Sequence, residues 1–360
     1  MPTTMRFVII GFLFLSALPV AAGKCAQTFY QSSKSVGKSA PTTELVHYED
    51  NRVSMACTYT IEVYGEAAQP LAQIVNDALD EVDRIDRLMS HYKSDSPLSQ
   101  LNRQASQKPV FVSDELFDFL AECLRYSRAS DGAFDVTVGP LMKAWGFFRG
   151  EGRMPTDSEL ATARSNIGYQ HVMLDPERKT VFFAQPGLEL DLGGIAKGYA
   201  VDRVVALLKQ RGITRALVSA GGSTIYGLGS PPKSAGWEIK LRDPLHAEKS
   251  AFSVWLRDQA LSVSGSYEKF FELHGKRYSH VMDPRTGRPV PGVLSVAVLS
   301  DTGTAGDALD NVFYVLGLAK SRRVLATFSA SEVFFFVPAA QGRWRLERLR
   351  KPSLISRGTR

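Results

Sequence analysis

The sequence has few cysteines and no cysteine pattern that binds a metal. Its 360 residues include 3 cysteines, Cys25, Cys57 and Cys123, with no CxxC pair and no His/Cys spacing of a zinc site. Cys57 lies in a strand-like segment and Cys123 on the apolar face of a predicted helix, so we expect both to be buried free thiols. The odd count predicts no complete disulfide framework, which excludes a small disulfide-stabilised domain.

The sequence also lacks the usual phosphate-binding fingerprints. Neither the GxxxxGK(S/T) spacing of a P-loop nor the GxGxxG spacing of a dinucleotide-binding fold occurs. The formal net charge is +6, but lysines and arginines are scattered and are dense only in RWRLERLRK near the C-terminus. This distribution argues against nucleic acid as a partner.

An apolar run near the N-terminus, FVIIGFLFLSALPVAAG, predicts export. Residues 1–22 are predicted to be a signal peptide cleaved after Ala22, and the polar residues 23–43 a flexible linker. We therefore expect the protein in the periplasm or on the periplasmic face of the inner membrane. An uncleaved anchor is the alternative, because the run approaches the length that spans a bilayer. Lys24 stands where a lipoprotein has a small residue, which argues against lipidation of Cys25.

Hydrophobic patterning predicts an α+β fold in which largely antiparallel sheets pack against helices. In the first half, residues 55–65 alternate like a strand, and apolar residues recur at helical spacing over residues 71–89. A loop is expected over residues 91–102 and a second amphipathic helix over residues 114–129. The segments HVMLD, TVFFA and LELDL are then predicted to be three short strands.

The second half of the chain is predicted to contain most of the strands. After a helix over residues 195–210, six alternating segments are separated by turn residues. A helix that includes residues 304–317, another near residues 319–328, the strand EVFFFVP and a basic hairpin follow. Since no linker divides this region, one domain is predicted over residues 44–345, with a basic tail over residues 346–360.

The segment TAGDALDNVFYVLG gathers acid at the start of an apolar helix. Asp307, Asp310 and Asn311 stand at positions i, i+3 and i+4, on one helix face. In the ordinary interpretation, Asp307 complements the helix macrodipole and Asp310 points into water. In the other, the face is a hard-cation site built from oxygen ligands. The segment alone favours the ordinary interpretation, because acidic helix starts are common.

Three further motifs could carry chemistry. ELDLGGIAKGYAVDRV puts Lys197 in the first turn of a helix after two glycines, where it could face an anion or point into solvent. SHVMDPRTGRPV puts His280 and Asp283 at a strand end, where His280 could be a general base or a structural residue and Asp283 could simply start a turn. DGAFDVTVGPLMKAWGF contains Phe134 and Trp145, which could stack on a flat ring or pack in the core.

Together and in this order, these motifs resemble one family, the ApbE-type FAD:protein FMN transferases. The resemblance covers about residues 50–340. The matching features are a strand beginning at Met55 and the segments MSHYKSDSPLSQLN, DGAFDVTVGPLMKAWGF, DLGGIAKGYAVDRV, VSAGG, SGSYEKFF, HVMDPRTGRPV and GDALDNVFYVLG.

The resemblance implies a T-fold-like flavin transferase fold and an Mg²⁺-dependent enzyme. Such an enzyme cleaves the pyrophosphate of FAD, joins FMN through its phosphate to a threonine or serine hydroxyl of a partner protein, and releases AMP. The implied partner is an exported or membrane-bound redox protein. His280 would receive the proton of the hydroxyl, or Asp283 would orient that hydroxyl. Contacts to FAD are implied for Met55, Tyr92, Ala133, Phe134, Asp135, Asp191, Lys197 and Val281, and cation ligands for the backbone oxygen of Gly194 and for Asp307 and Asn311.

The chain departs from the family pattern at its cation helix. The family usually has threonine or serine where Asn311 stands; an amide oxygen is also a hard-cation ligand, and Asp310 could be an extra one. Ala56, Ser223 and Ser266 also differ from the usual residues. Two alternatives stay open: an FAD pyrophosphatase, in which water attacks and FMN and AMP are released, and a non-catalytic periplasmic flavin-binding protein.

Overall fold

An eight-stranded sheet forms the centre of the protein, whose structure is a computed structural model that describes residues 45–351. The predicted signal peptide and linker lie outside these residues. Within them, none of the helices combines the length and the apolar character needed to cross a membrane.

The described residues form seventeen strands and seven α-helices. In chain order the strands are β1 (Leu45–Ser54), β2 (Cys57–Glu66), β3 (Val110–Phe111), β4 (Val172–Asp175), β5 (Thr180–Phe183), β6 (Arg215–Ala220), β7 (Thr224–Leu228), β8 (Trp237–Arg242), β9 (Ser250–Leu256), β10 (Gln259–Gly265), β11 (Phe270–Leu273), β12 (Lys276–Ser279), β13 (Met282–Asp283), β14 (Arg288–Pro289), β15 (Ser295–Ser300), β16 (Glu332–Pro338) and β17 (Trp344–Arg350). The helices are α1 (Leu71–Met89), α2 (Pro97–Gln104), α3 (Asp114–Ala129), α4 (Gly139–Ala144), α5 (Asp157–Ser165), α6 (Ala196–Gln210) and α7 (Gly303–Val324).

The central sheet is antiparallel throughout. Its strand order is β1-β2-β6-β7-β10-β15-β16-β17, and every neighbouring pair runs in opposite directions. A three-stranded sheet, β3-β5-β4, and the hairpins β8-β9, β11-β12 and β13-β14 flank it. The predicted α+β fold with largely antiparallel sheets is confirmed.

Each face of the central sheet is covered by a different layer. Helices α1, α6 and α7 cover one face, and the apolar period of α1 predicts its bounds correctly because those residues form its buried stripe. On the opposite face, the hairpin β8-β9 buries Trp237 and Leu256 against Leu261 and Phe334. The buried residues of the α1 stripe are Leu71, Ile74, Val75, Ala78, Leu79, Val82, Ile85 and Met89.

Two predictions for the first half of the chain were wrong. The expected loop over residues 91–102 contains the start of α2, where Ser96 caps the helix through the N–H of Ser99 at 3.0 Å. The segment LELDL forms no regular strand, because only Glu189 pairs, in a single parallel bridge with Val138. On the other edge the Leu190 backbone bonds the Asn102 side chain, accepting from Nδ2 at 2.9 Å and donating to Oδ1 at 2.8 Å. A side-chain amide therefore satisfies the edge of the segment that has no strand beside it.

The C-terminal boundary of the domain also differs from the prediction. The expected basic hairpin forms from β16 and β17, which makes β17 the edge strand of the central sheet. Residues 346–350, assigned to a basic tail, thus belong to the folded domain. The predicted pair of helices after residue 303 forms α7, which is broken at Gly317, where φ is 67° and ψ is 172°.

The first turns of α6 and α7 meet through glycines. A Cβ atom on Gly198 would overlap the carbonyl oxygen of Gly303, and one on Gly303 would lie 2.7 Å from the carbonyl oxygen of Gly198. Asp202 fixes this contact by accepting the N–H groups of Gly303 at 2.6 Å and Thr304 at 2.8 Å. The approach brings Lys197 on α6 near the acidic face of α7.

Gly198→Ala is expected to lower the free energy of unfolding by about 3 kcal/mol, the upper range for overpacking a tight contact. Urea denaturation followed by circular dichroism measures the change. Gly212→Ala is the control, because its Cβ would meet nothing closer than 3.6 Å and only its φ of +78° is unfavourable. Equal losses in the two variants would contradict a role for the helix contact.

Candidate active site

The acidic cluster of α7 is buried against the first turn of α6. Asp307 and Asp310 are only 4% and 3% exposed. The Asp307 carboxylate accepts the N–H of Gly198 at 2.7 Å through Oδ2 and the Thr224 hydroxyl through Oδ1. The ordinary interpretation of this helix start, with Asp310 in water, is therefore wrong.

Oxygen atoms from two distant parts of the chain converge at Asn311. Its amide Nδ2 lies 3.2 Å from the carbonyl oxygen of Gly194, 2.9 Å from that of Asp307 and 2.9 Å from Oδ1 of Asp310. The fold thus brings together the three predicted metal-binding residues. The converging atoms are two backbone carbonyl oxygens and one carboxylate oxygen. These are kinds of ligand that Mg²⁺ and Ca²⁺ prefer, so this donor set fits a hard cation.

Burial raises the pKa of both carboxyl groups in this cluster. Desolvation raises the pKa of Asp307 to about 6, although the Lys197 charge and the Thr224 hydroxyl act in the opposite direction. The pKa of Asp310 is raised well above its ordinary value, first by burial and then by the Asp307 charge. Two neighbouring carboxylates in the core are costly as anions unless a cation compensates them.

Lys197 points into this cluster and not into solvent. Its ammonium donates to the Ser223 hydroxyl, which follows the glycine pair 221–222 after β6. Burial alone would lower the pKa of Lys197, but the carboxylates of Glu268 and Asp307 raise it above its ordinary value. A charged ammonium is therefore held beside the oxygen cluster, as a phosphate-binding group requires.

A group of aromatic side chains lies next to Asp191. The Asp191 carboxylate accepts the N–H of Gly193 at 2.8 Å, and its Oδ2 is 3.4 Å from Nε2 of His91. The ring of Tyr92 is stacked on Phe148 with centroids 4.9 Å apart and planes at 20°. Tyr92 is 55% exposed, so a flat ligand ring can reach this pair.

The predicted FAD contacts Ala133 and Phe134 are buried, and Phe134 lies beside the oxygen cluster at Asn311. A Cβ atom on Gly194 would lie 3.7 Å from a ring carbon of Phe134, so the ring packs against the Gly194 backbone. Trp145 packs in the core, and its indole donates to the carbonyl oxygen of Gly287 at 2.9 Å. This bond joins two of the motifs that the sequence singled out.

Asp135 uses its carboxylate within its own loop region. Oδ1 accepts the N–H of Thr137 at 2.8 Å and its hydroxyl at 2.7 Å, and Oδ2 accepts the N–H of Tyr169 at 2.9 Å. Burial raises the pKa of Asp135, while these hydrogen bonds lower it. The geometry gives Asp135 the task of holding the loop that carries Phe134.

His280 and Asp283 have different partners. The Nδ1 atom of His280 lies 3.1 Å from the carbonyl oxygen of Lys269. Shielding from water and the nearby Lys269 charge lower the pKa of His280 to about 3, so the imidazole is neutral. Asp283 instead pairs with Arg285, at 2.8 and 2.9 Å, within the turn. Val281, a predicted FAD contact that lies between His280 and Asp283 in the sequence, is buried.

Met55 and Ala56 form the two-residue turn between β1 and β2. Their φ angles are 50° and 60°, as in the hairpin turns that glycine and asparagine favour. The turn packs on the glycine pair, because a Cβ on Gly221 would lie 2.7 Å from Cβ of Cys57. The Met55 sulfur accepts the Tyr59 hydroxyl at 3.2 Å. Cys57 is half-buried and Cys123 is buried, and both are free thiols.

Sequence reasoning missed two residues of the aromatic group. His91 and Phe148 lie within or directly after quoted motifs, yet neither has a spacing that signals its role. Their importance comes from the contacts with Tyr92 and Asp191, which the chain order does not reveal.

Comparisons with known proteins point to one family. The model of the ApbE family matches residues 55–335. The FAD:protein FMN transferase of Salmonella typhimurium (strain LT2) is 34% identical over 278 residues, which are 76% of this chain and 79% of that protein. The FAD:protein FMN transferase of Vibrio cholerae is 34% identical over 286 residues, 78% of this chain and 84% of that protein.

Solved structures share the fold over most of the chain. The ApbE protein of Thermotoga maritima superposes with a TM-score of 0.77 at 28% identity, covering 84% of this chain and 97% of that one. The flavin transferase ApbE of Vibrio cholerae gives a TM-score of 0.76 at 29% identity, covering 86% of this chain and 98% of that one. With the match of the family model to residues 55–335, we conclude that this chain belongs to the ApbE family.

Proposed function

We propose that this chain transfers FMN from FAD to a threonine or serine hydroxyl of a partner protein, with Mg²⁺ as the cation, and releases AMP. One observation carries the proposal: buried oxygens of Gly194, Asp307 and Asp310 meet at Asn311, beside the Lys197 ammonium. A cation and a lysine side by side match a pyrophosphate, because both neutralise its charge during phosphoryl transfer. Relatives named FAD:protein FMN transferase support the same activity.

Different parts of the site suit different parts of FAD. Asp307, Asn311 and the Gly194 carbonyl would hold Mg²⁺, with Asp310 as a further ligand, and this ion would polarise the phosphoryl oxygens. Lys197, in the first turn of α6, binds phosphate oxygens, and the positive end of the helix dipole favours negative charge at the same place. Tyr92 stacks on a flat ring at the other side of the site.

His280 is the proposed base. Because a carbonyl oxygen only accepts hydrogen bonds, Nδ1 of His280 carries the proton that faces Lys269, and Nε2 keeps a lone pair. Nε2 receives the proton of the acceptor hydroxyl while the hydroxyl oxygen attacks the phosphorus of the FMN half. The bond from that phosphorus to the AMP half breaks, and AMP leaves. The negative charge of the bound pyrophosphate raises the pKa of His280 toward the range of an effective base.

The partner and the compartment are part of the proposal. The predicted signal peptide over residues 1–22 supports a periplasmic enzyme, because an enzyme and its protein substrate must share a compartment. We therefore propose an exported or membrane-bound redox protein with an acceptor threonine or serine.

The purified protein, mixed with FAD, Mg²⁺ and such an acceptor domain, is expected to give a fluorescent band that survives denaturation. The acceptor should gain the mass of FMN, in an amount equal to the AMP released, and a chelator should stop the reaction. An acceptor with alanine at its threonine or serine is the control. Free FMN and AMP without a band would support a pyrophosphatase, and bound FAD without AMP a non-catalytic binding protein.

Asp307→Asn is expected to lower the rate of AMP release about 100-fold or more, because it removes the buried charge that holds the cation. Asp301→Asn is the matched control, since Asp301 is exposed just before α7. Chromatography of released AMP measures both variants, and thermal melting checks that they fold. Unchanged AMP release in Asp307→Asn would remove Asp307 from the cation site.

His280→Ala is expected to slow transfer to the partner about 100-fold or more, within the range for loss of a general base. The Kd for FAD, measured by flavin fluorescence, should change by less than about threefold, because the proposed role of His280 is proton transfer. His246→Ala, at an exposed position of the hairpin β8-β9 connection, is the control. Equal losses of transfer and of FAD affinity would make His280 a binding residue.

A further inference from the structure

His91 is a buried polar side chain that the proposed mechanism does not use. It follows the C-terminal cap of α1, and its side chain is only 6% exposed. Its Nε2 atom is buried and makes no hydrogen bond of normal geometry with any described residue. An unpaired polar atom in such a place costs free energy, so its retention calls for a partner or a ligand nearby.

The nearest charged group to that atom is the Asp191 carboxylate. Oδ2 of Asp191 lies 3.4 Å from Nε2 of His91, and its side chain is 7% exposed. The other oxygen, Oδ1, accepts the N–H of Gly193, which begins the loop that leads to Gly194. The imidazole thus lies against a carboxylate that is already fixed on one side.

The ring of His91 also supports the aromatic pair of the site. Its centroid is 3.9 Å from that of Tyr92 and 5.1 Å from that of Phe148. With the 4.9 Å between Tyr92 and Phe148, the three ring centroids form a triangle, so Tyr92 packs against both other rings and its orientation depends on both. Aromatic pairs contribute about 0.5–1.5 kcal/mol beyond their buried area.

Burial lowers the pKa of His91 and keeps the imidazole neutral. Burial lowers its pKa most, Lys143 and Lys269 lower it further, and Asp191 and Glu189 raise it. A neutral imidazole has one N–H group, and a carboxylate can only accept. The tautomer that suits this place carries the proton on Nε2 and directs it toward Asp191.

We propose that His91 is a positioning residue of the FAD site. The imidazole faces the Asp191 carboxylate with Nε2–H, across 3.4 Å, and holds it by electrostatic attraction, and the ring also packs against Tyr92. Tyr92 then stacks on one of the flat rings of FAD, and Asp191 accepts a hydrogen bond from an N–H group of a ring. Both the isoalloxazine and the adenine carry such an N–H group. This inference rests on the proposed function and adds the residue that holds the ring-binding subsite in shape.

Two variants separate the hydrogen bond from the ring. His91→Phe keeps an aromatic ring and removes Nε2–H, and His91→Gln keeps an N–H donor near the same place and removes the ring. His91→Phe is expected to raise the Kd and the KM for FAD about tenfold, because it removes one polar contact to a charged group. The kcat should change less than about threefold. His91→Gln should recover at least half of the lost affinity. Flavin fluorescence measures Kd, and AMP release measures KM and kcat.

A double variant tests whether His91 acts through Asp191. In an Asp191→Asn background, His91→Phe should weaken FAD binding less than about threefold, because the partner of Nε2–H has already been changed. Full additivity of the two effects would overturn the proposal, as would a Kd for His91→Phe equal to that of the unmodified protein. If His91→Phe does not fold by thermal melting, His91→Ala replaces it in the same comparisons. An unmodified protein that does not bind FAD would refute the proposed function instead.

Discussion

The close approach of the α6 and α7 backbones at Gly198 and Gly303 is the contact on which the site depends. Because neither residue has a side chain, the first turns of the two helices touch, and the Gly198 N–H reaches the Asp307 carboxylate. Asp202 fixes the contact by bonding the start of α7. The N-terminal ends of both helices therefore meet at one place, where Asp202 and Asp307 already accept the N–H groups of Gly198, Gly303 and Thr304. The positive ends of the two helix dipoles still favour negative charge there.

Charge balance explains why this pocket fits a cation. One buried ammonium, that of Lys197, faces the two neighbouring carboxylates of Asp307 and Asp310, and burial raises the pKa of both acids. A divalent ion would favour their ionised forms. Asn311 stands where the resemblance to the family leads us to expect a hydroxyl residue. An amide and a hydroxyl are both neutral, so this difference leaves the charge of the proposed site unaltered.

The remaining parts of the site come from loops that flank the central sheet. The turn with Met55, the aromatic pair of Tyr92 and Phe148, and His280 after β12 lie on separate segments. Short polar contacts hold these segments, such as the bonds of Asp135 to its loop and the pairing of Asp283 with Arg285. In the proposed site these polar contacts do not themselves touch FAD. They position the groups that are proposed to contact it.

The sequence by itself determined the long helices, because the apolar period of α1 follows from residues three and four apart, and it determined the ordered motifs that indicate the family. It also identified Asp307, Asn311 and Lys197 as polar residues near helix starts. Only the tertiary structure decided that Asp310 is buried, that the Asn102 side chain bonds the Leu190 backbone, and that Nε2 of His91 faces Asp191. A local pattern reports which face of an element is apolar, but what packs against that face depends on segments far apart in the chain.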